Sequence, residues 1–320
     1  MAQINYYQIM NWFKNILTIS ILIFNIMPGS NIGSYAGGFL RMGSSARAMA
    51  MGSGFTSEID QGFAAYHNPA SLTFLTKKQI GFSNHFLPLD RRLMAANFSM
   101  SIPPTASIGL GWISAGVDKI DGRAGSGRHT QYLSTSENAF LISFAQQFFP
   151  WLSIGMNLKI LQHQLPINST DLAGKGIGMD FGIHVKTKSG SKIGLMIQDL
   201  NSRYQWKTDK IYERGKVYID QFPTLVRLGS NVNYKNFYIV GDAGLIINKQ
   251  EIVGYTFRAG MEYPYLENYY LRAGFGNRRM SVGVGLDWSL LKDGDGRLDY
   301  AFIFENPAGG AHIFTYAFSF

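Results

Sequence analysis

Five basic residues, Lys159, Lys186, Arg227, Arg258 and Arg272, fall on the polar parity of stretches in which large apolar residues take every second position. A guanidinium so placed can grip a carboxylate through two parallel hydrogen bonds. The set is therefore a candidate lining for an amphiphile with an anionic head. Asp180, Asp242, Glu262 and Asp287 share that parity, and they offer the alternative of a mutual ladder that only keeps the wall charges satisfied. Asn68-Pro69-Ala70 is the second chemically pointed stretch. Proline fixes φ, lacks an N–H and pushes the residue before it out of the helical region. The Asn68 amide is then left to bond backbone groups and define a kink. By spacing alone an ordinary Asn-Pro turn reads the same way.

Other chemistry finds no support. The six His (67, 85, 129, 163, 184 and 312) lack ligand spacing, no Ser/His/Asp set stands out, and Cys is absent. A thiol nucleophile, Cys-ligated metal and a disulfide framework are excluded. No catalytic residue, metal or cofactor is expected. Gly43, Gly52, Gly54 and Gly62 do not spell a phosphate loop and follow no strand. Lys292-Asp293-Gly294-Asp295-Gly296 lacks the further ligands and terminal Glu of a calcium loop and reads as a tight turn. The net charge of +8 carries no dense Lys/Arg run. That pattern points to lipid headgroups or acidic ligands rather than nucleic acid.

The elements that must position these residues are strands. Charged residues make up 16% of the chain, against about a quarter in soluble domains. Aromatics make up 14%, with 36 Gly, which suits strands with one face in lipid. Fourteen alternating segments can be marked: 79–86, 91–102, 105–117, 137–149, 151–164, 175–187, 191–200, 223–234, 236–247, 252–263, 268–276, 279–290, 296–304 and 311–320. Most run about ten residues, the length of a tilted membrane-spanning strand, and an even number is what a single-chain barrel requires. Even-numbered connections are short, whereas the third and seventh, 118–136 and 201–222, are long. This assigns turns to the periplasm and loops to the outside. Tyr204-Gln205-Trp206-Lys207, in the seventh connection, reads either as a ligand or partner contact or as an interfacial aromatic anchor. The chain ends on Phe314, Tyr316, Phe318 and Phe320 at alternate positions. A last strand must pair to leave no edge in lipid.

The expected fold is all-β: a 14-stranded antiparallel transmembrane β-barrel in the bacterial outer membrane, monomeric and bathed in outer-membrane lipid. Residues 1–36 read as a signal peptide, with Lys14, an apolar run from Ile16 to Met27 and a small-x-small site ending at Ala36. Met10 is an alternative start to Met1. Residues 37–78 lack alternation and are rich in Gly, Ala, Ser and Met. They are expected to fold inside the barrel of residues 79–320 as a luminal hatch.

Three places carry a resemblance to a known family. Phe39 to Gly52 reads FLRMGSSARAMAMG and Ala65 to Leu72 reads AYHNPASL, while the C-terminal half, as the third place, adds weaker matches at Leu225 to Gly229 and Leu298 to Phe302. Together these resemble the PorV/PorQ family within the FadL-like superfamily of outer-membrane barrels. His67 departs from the aromatic that the family more often places before Asn. The resemblance implies that Asn68, Pro69 and Ala70 sit in the hatch. It also implies one of two roles: passing hydrophobic or amphiphilic small molecules through the outer membrane, or receiving cargo as an accessory of type IX secretion with secretion-system proteins as partners.

Overall fold

The computed structural model describes residues 35–167, 170–209, 211, 213–291, 294–305, 307 and 309–320. The expected signal peptide thus lies outside the described residues except for Tyr35 and Ala36.

Alternation of large apolar residues with small or polar ones drives the chain into antiparallel strands. In order these are β1 Gln79–Phe86, β2 Arg91–Ile102, β3 Ala106–Arg123, β4 His129–Phe149, β5 Leu152–Ile167, β6 Thr170–Lys186, β7 Lys192–Leu200, β8 Arg203–Lys207 and β9 Val217–Gln221. Then follow β10 Thr224–Tyr234, β11 Phe237–Asn248, β12 Glu251–Leu266, β13 Tyr269–Gly276, β14 Arg279–Leu291, β15 Gly294–Glu305 and β16 Gly309–Ser319. β1 to β7 and β10 to β16 form a closed ring of fourteen. β1 meets β16 with Gln79 opposite Ser319 and Phe86 opposite His312. β7 meets β10 with Leu225 opposite Gln198. Closure leaves no unpaired edge. β8 and β9 stand outside the count as a hairpin that leans on β6 through Gly174 opposite Trp206. Two-residue turns at Lys249-Gln250 and Asn277-Arg278 have positive φ at both positions, the conformation that tight hairpins use.

Two connections differ from expectation. The third is mostly strand, because β3 and β4 continue past the apolar alternation to Arg123 and from His129. The seventh holds β8 and β9.

One parity of the ring faces out. Phe140, Ile142 and Phe144 on β4, Ile154, Met156 and Leu158 on β5, and Val282 and Val284 on β14 are exposed. So are the terminal Phe314, Tyr316 and Phe320. A monomer in water does not carry an apolar belt of that extent. Closure and the belt together place the chain in a bacterial outer membrane.

The other parity meets residues 37–75. That segment forms a 3-10 turn at Gly38–Arg41, a helical turn at Ala46–Ala50, another at Ala64–His67 and a 3-10 stretch at Pro69–Phe74. Ser45 caps the second by accepting from the Ala48 N–H, and Asn68 caps the last by accepting from Ala70 N–H with Pro69 at the first helical position. Both are preferred capping arrangements. The partners of the segment come from every side of the ring. Ala46 N–H donates to Thr315 Oγ1 on β16 at 2.7 Å, and Ser281 Oγ on β14 donates to Ala50 O at 3.0 Å. On the other sides, Asn231 on β10 donates to Ser57 O at 3.1 Å and Asn157 on β5 donates to Ala65 O at 3.0 Å.

Candidate functional site

Small wall residues make these contacts possible. A Cβ on Gly182 would strike Asn68 Oδ1, one on Gly155 would strike the Pro69-Ala70 backbone, and ones on Gly260 and Gly274 would strike Met51. Only glycine lets backbone approach backbone so closely. Asn68 is fully buried. Its Nδ2 donates to Thr56 O at 2.9 Å and to Ile183 O on β6 at 3.1 Å. Its Oδ1 accepts from Ala70 N–H at 3.1 Å. With Leu195 O on β7 at 3.5 Å from Asn68 Nδ2 and Ser153 on β5 donating to Ala70 O at 2.9 Å, the motif ties two parts of the segment to three strands of the wall, which an exposed turn would not do.

The five basic residues separate into three groups. Lys159 is buried between two carboxylates, 2.5 Å from Asp180 and in contact with Asp199. Arg272 lies 2.6 Å from both Glu262 and Asp299. These two belong to the ladder alternative. Lys186 sits with its Nζ 3.8 Å from the Phe74 ring centroid, a cation–π contact. Arg227 donates to Gln198 Oε1 at 2.6 Å and Arg258 to Ser53 O at 3.3 Å. Their Nε atoms are buried and without an acceptor among the described residues. The structure therefore brings Arg227 and Arg258 together around Asp242 and leaves Lys159, Lys186 and Arg272 elsewhere. Asp287, the remaining expected acid, pairs with Arg297 at 2.5 Å.

Residues of the segment itself complete the electrostatics. Arg47 donates to Glu262 through Nε at 3.0 Å and NH2 at 3.1 Å, and to Glu58 at 3.3 Å. Asp60 accepts from the Ser45 hydroxyl and lies 3.3 Å from His67 Nε2 and 3.9 Å from Arg47. Burial pushes the Asp60 carboxyl up. The hydrogen bond and charge of His67, together with Arg47 and Ser45, outweigh burial and hold it below its ordinary 3.8.

A second feature of the interior is apolar. Inward positions of a barrel wall are commonly polar, yet Leu93, Ala95, Ile113, Ala115, Ala139, Leu141 and Leu161 face in on β2 to β5. Phe39, Leu40 and Phe63 of the segment cover them, as do Tyr204, Trp206 and Phe222 from the β7–β10 connection. Tyr204 and Trp206 are 1% and 8% exposed, so neither is an interfacial anchor. Tyr204 donates to Glu137 on β4 at 3.2 Å. A cavity of about 10 Å³, room for one water, borders this cluster. It is lined by Ala95, Ala96, Trp112 and Ile113 of β2 and β3 and by Phe63 and Tyr66 of the segment. The signal for the cluster was present in the sequence, since both parities of β2 to β4 are apolar near Leu93, Ile113 and Leu141.

Comparison with models of known protein families finds no match, and neither does comparison with characterised proteins. Solved structures do match. A FadL homologue from Pseudomonas aeruginosa superposes with a TM-score of 0.60 at 11% identity, over 87% of this chain and 98% of that one. The Pseudomonas putida toluene transporter TodX gives 0.58 at 14% identity, over 87% and 97%. The Ralstonia pickettii toluene transporter TbuX gives 0.58 at 11% identity, over 87% and 97%. At these identities the likeness is one of fold.

Proposed function

We propose that this barrel binds hydrophobic or amphiphilic small molecules and passes them through the outer membrane, with residues 37–78 as the luminal plug that moves to let them through. The observation that carries the reading is the apolar patch on the inner face of β2 to β5, where a purely structural wall would be polar. It is lidded by Phe39, Leu40 and Phe63 on one side and Tyr204 and Trp206 on the other. Neighbours whose names describe toluene transporters and monoaromatic hydrocarbon channels support a small apolar solute. This reading places a lateral exit into the membrane beside the small cavity at β2 and β3. Kinship with the PorV/PorQ family is part of this reading and rests on the motifs around Arg41 to Gly52 and Asn68.

Trp206 supplies the test. Toluene added to the purified protein in detergent is expected to quench its fluorescence saturably, and Trp206→Phe to abolish that component. Quenching that rises linearly with toluene, or is untouched by Leu141→Asp, would remove the support for a binding patch.

A second reading is favoured by the filled interior, in which the segment contacts the wall on all sides. Such a barrel suits a scaffold that receives exported cargo on its outer face, as an accessory of type IX secretion. Copurification with secretion-system proteins in mild detergent, together with no saturable toluene binding, is the result that would favour it.

A further inference from the structure

Closure removes every edge from the ring, but the hairpin of β8 and β9 keeps one. β9 pairs with β8 from Val217 opposite Lys207 to Gln221 opposite Arg203, and no other strand lies beside it among the described residues. Phe222 N–H donates to Ser202 O at 2.9 Å, and Thr208 N–H donates to Lys216 O at 3.2 Å. Even-numbered residues of β9 therefore bond to β8. The alternation of an antiparallel ladder then turns the N–H and C=O groups of Val217, Ile219 and Gln221 to the open side. Val217, Tyr218 and Ile219 are 58%, 59% and 59% exposed. Lipid does not account for them. Val217 and Ile219 share their face with Lys207 and Gln205, the exposed residues opposite them on β8, so this face lies beyond the apolar belt. Proteins usually cover or blunt a free edge, whereas β9 offers three large apolar residues in a row along it.

We propose that β9 is a docking edge for a second copy of this chain, which adds its own β9 in antiparallel register about Tyr218. Bonding through the open side requires odd-numbered residues to face odd-numbered ones. A register centred on Tyr218 meets that condition, with Val217 opposite the second copy's Ile219. It also sets Lys216 opposite the second copy's Asp220, and twofold symmetry repeats both pairs. Lys216 and Asp220 are exposed, and neither enters an ion pair among the described residues. They meet at a position without ladder bonds, where side chains stand closest, and opposite charges across a ladder attract. Residues Lys216 to Asp220 are thus their own complement: cation to anion, Val to Ile, Tyr to Tyr. The neighbouring register centred on Ile219 loses this match, because it turns Lys216 toward Phe222, which is 2% exposed. Self-complementarity is what a twofold contact needs, and it selects a second copy over an unrelated extended peptide. A pair of barrels takes the place of the monomer expected from the sequence. The conduit reading does not depend on it.

Strands this short make a contact smaller than the standard interface of about 1,600 Å², so the experiment uses a covalent trap. The chain has no Cys. Opposed residues at a position without ladder bonds have Cα atoms about 4.5 Å apart, within the reach of a disulfide. The full chain carrying Tyr218→Cys is oxidised in mild detergent, and the disulfide dimer is followed on non-reducing gels. Ile219→Cys, which meets Val217 rather than itself in this register, and Lys207→Cys, on the exposed face of β8, are the controls. Tyr218→Cys is expected to react about tenfold faster than either, through the raised local concentration of its twin. In the Tyr218→Cys chain, Lys216→Asp or Asp220→Lys sets like charges opposite one another twice. Each is expected to slow the reaction about tenfold, and the two together to restore it. Restoration is a result that a misfolded variant does not give, and heat-modifiable mobility on gels confirms the barrel in each. Equal rates for the three cysteines, a faster Ile219→Cys, or single charge exchanges without effect overturn the proposal. A photo-reactive phenylalanine analogue in place of Tyr218 that captures another protein and no second copy in intact cells gives the edge to that partner, and overturns it as well.

Discussion

Arg47, near the start of the N-terminal segment, forks onto Glu262 of β12, with Nε 3.0 Å from Oε2 and NH2 3.1 Å from Oε1. The two residues are 215 positions apart. Glu262 also accepts from Arg272, and Arg47 also reaches Glu58. One carboxylate of the wall thus joins the buried charges of the segment to those of the ring. Breaking one side of a buried pair leaves an uncompensated charge, at a cost of about 3–5 kcal/mol. Arg47→Met is expected to destabilise more than Glu262→Gln, because it takes the cation from three carboxylates, Glu262, Glu58 and Asp60, whereas Arg47 keeps Glu58 and Arg272 keeps Asp299 when Glu262 is neutral. Thermal unfolding of both variants checks the order, and equal midpoints would contradict the network.

Wall glycines seat the segment, so filling one should unseat it without opening the ring. Gly182→Val places a branched side chain where Asn68 and Pro69 lie. Overpacking of this kind costs about 1–3 kcal/mol, and Val suits a strand. The expected outcome is a barrel with normal heat-modifiable mobility whose residues 37–75 are cut by added protease. A segment as resistant as in the wild type would count against the seat.

Asn68→Ala removes the cap on Pro69–Phe74 and leaves Thr56 O and Ile183 O without their donor. A lost cap costs about 1 kcal/mol, and each orphaned buried acceptor adds about 1–3 kcal/mol. Asn68→Asp keeps the acceptor for Ala70 N–H but brings no donor to the two carbonyls. Both variants are expected to unfold earlier than the wild type by calorimetry. An unchanged midpoint for either would reduce the motif to an ordinary turn.

Asp60 gives the segment a dependence on pH. Its folded carboxyl titrates below the ordinary value of 3.8. Its contribution to stability is therefore complete above the unfolded pKa and is lost as pH falls through the lowered folded one. Protease sensitivity of residues 37–75 should rise as pH drops below about 4, and Asp60→Asn should flatten that part of the profile. A wild-type profile that is flat down to pH 3 would contradict the assignment.

Much of the wall was legible because lipid imposes a period of two. β1 and β2 begin and end where alternation of Phe, Ile and Met does, at Gln79–Phe86 and Arg91–Ile102. β3 and β4 run beyond the expected 105–117 and 137–149 because Asp121, Gly122 and Arg123 pair with Tyr132, Gln131 and His129 outside the region where lipid selects apolar residues. β8 and β9 were hidden for the same reason, since a hairpin beside the ring has no lipid face. The interior was harder. The glycines read correctly as barrel composition, but Gly155 and Gly182 owe their identity to a segment more than 80 residues earlier in the chain. Whether an inward arginine is paired depends likewise on what the segment brings. Arg272 and Arg258 look alike in their strands, yet of the two only Arg272 forms ion pairs among the described residues.

The central claim is that the apolar inner patch carries a hydrophobic solute past the plug. Uptake of radiolabelled toluene by cells with a lipopolysaccharide outer membrane tests it most directly, comparing the wild type with Leu141→Asp at equal barrel abundance. The account predicts faster uptake with the wild type than without the barrel, and a fall of about tenfold in that increment for Leu141→Asp, the effect of a charge in an apolar path. Uptake that is the same with and without the barrel, or the same for both forms, would contradict it.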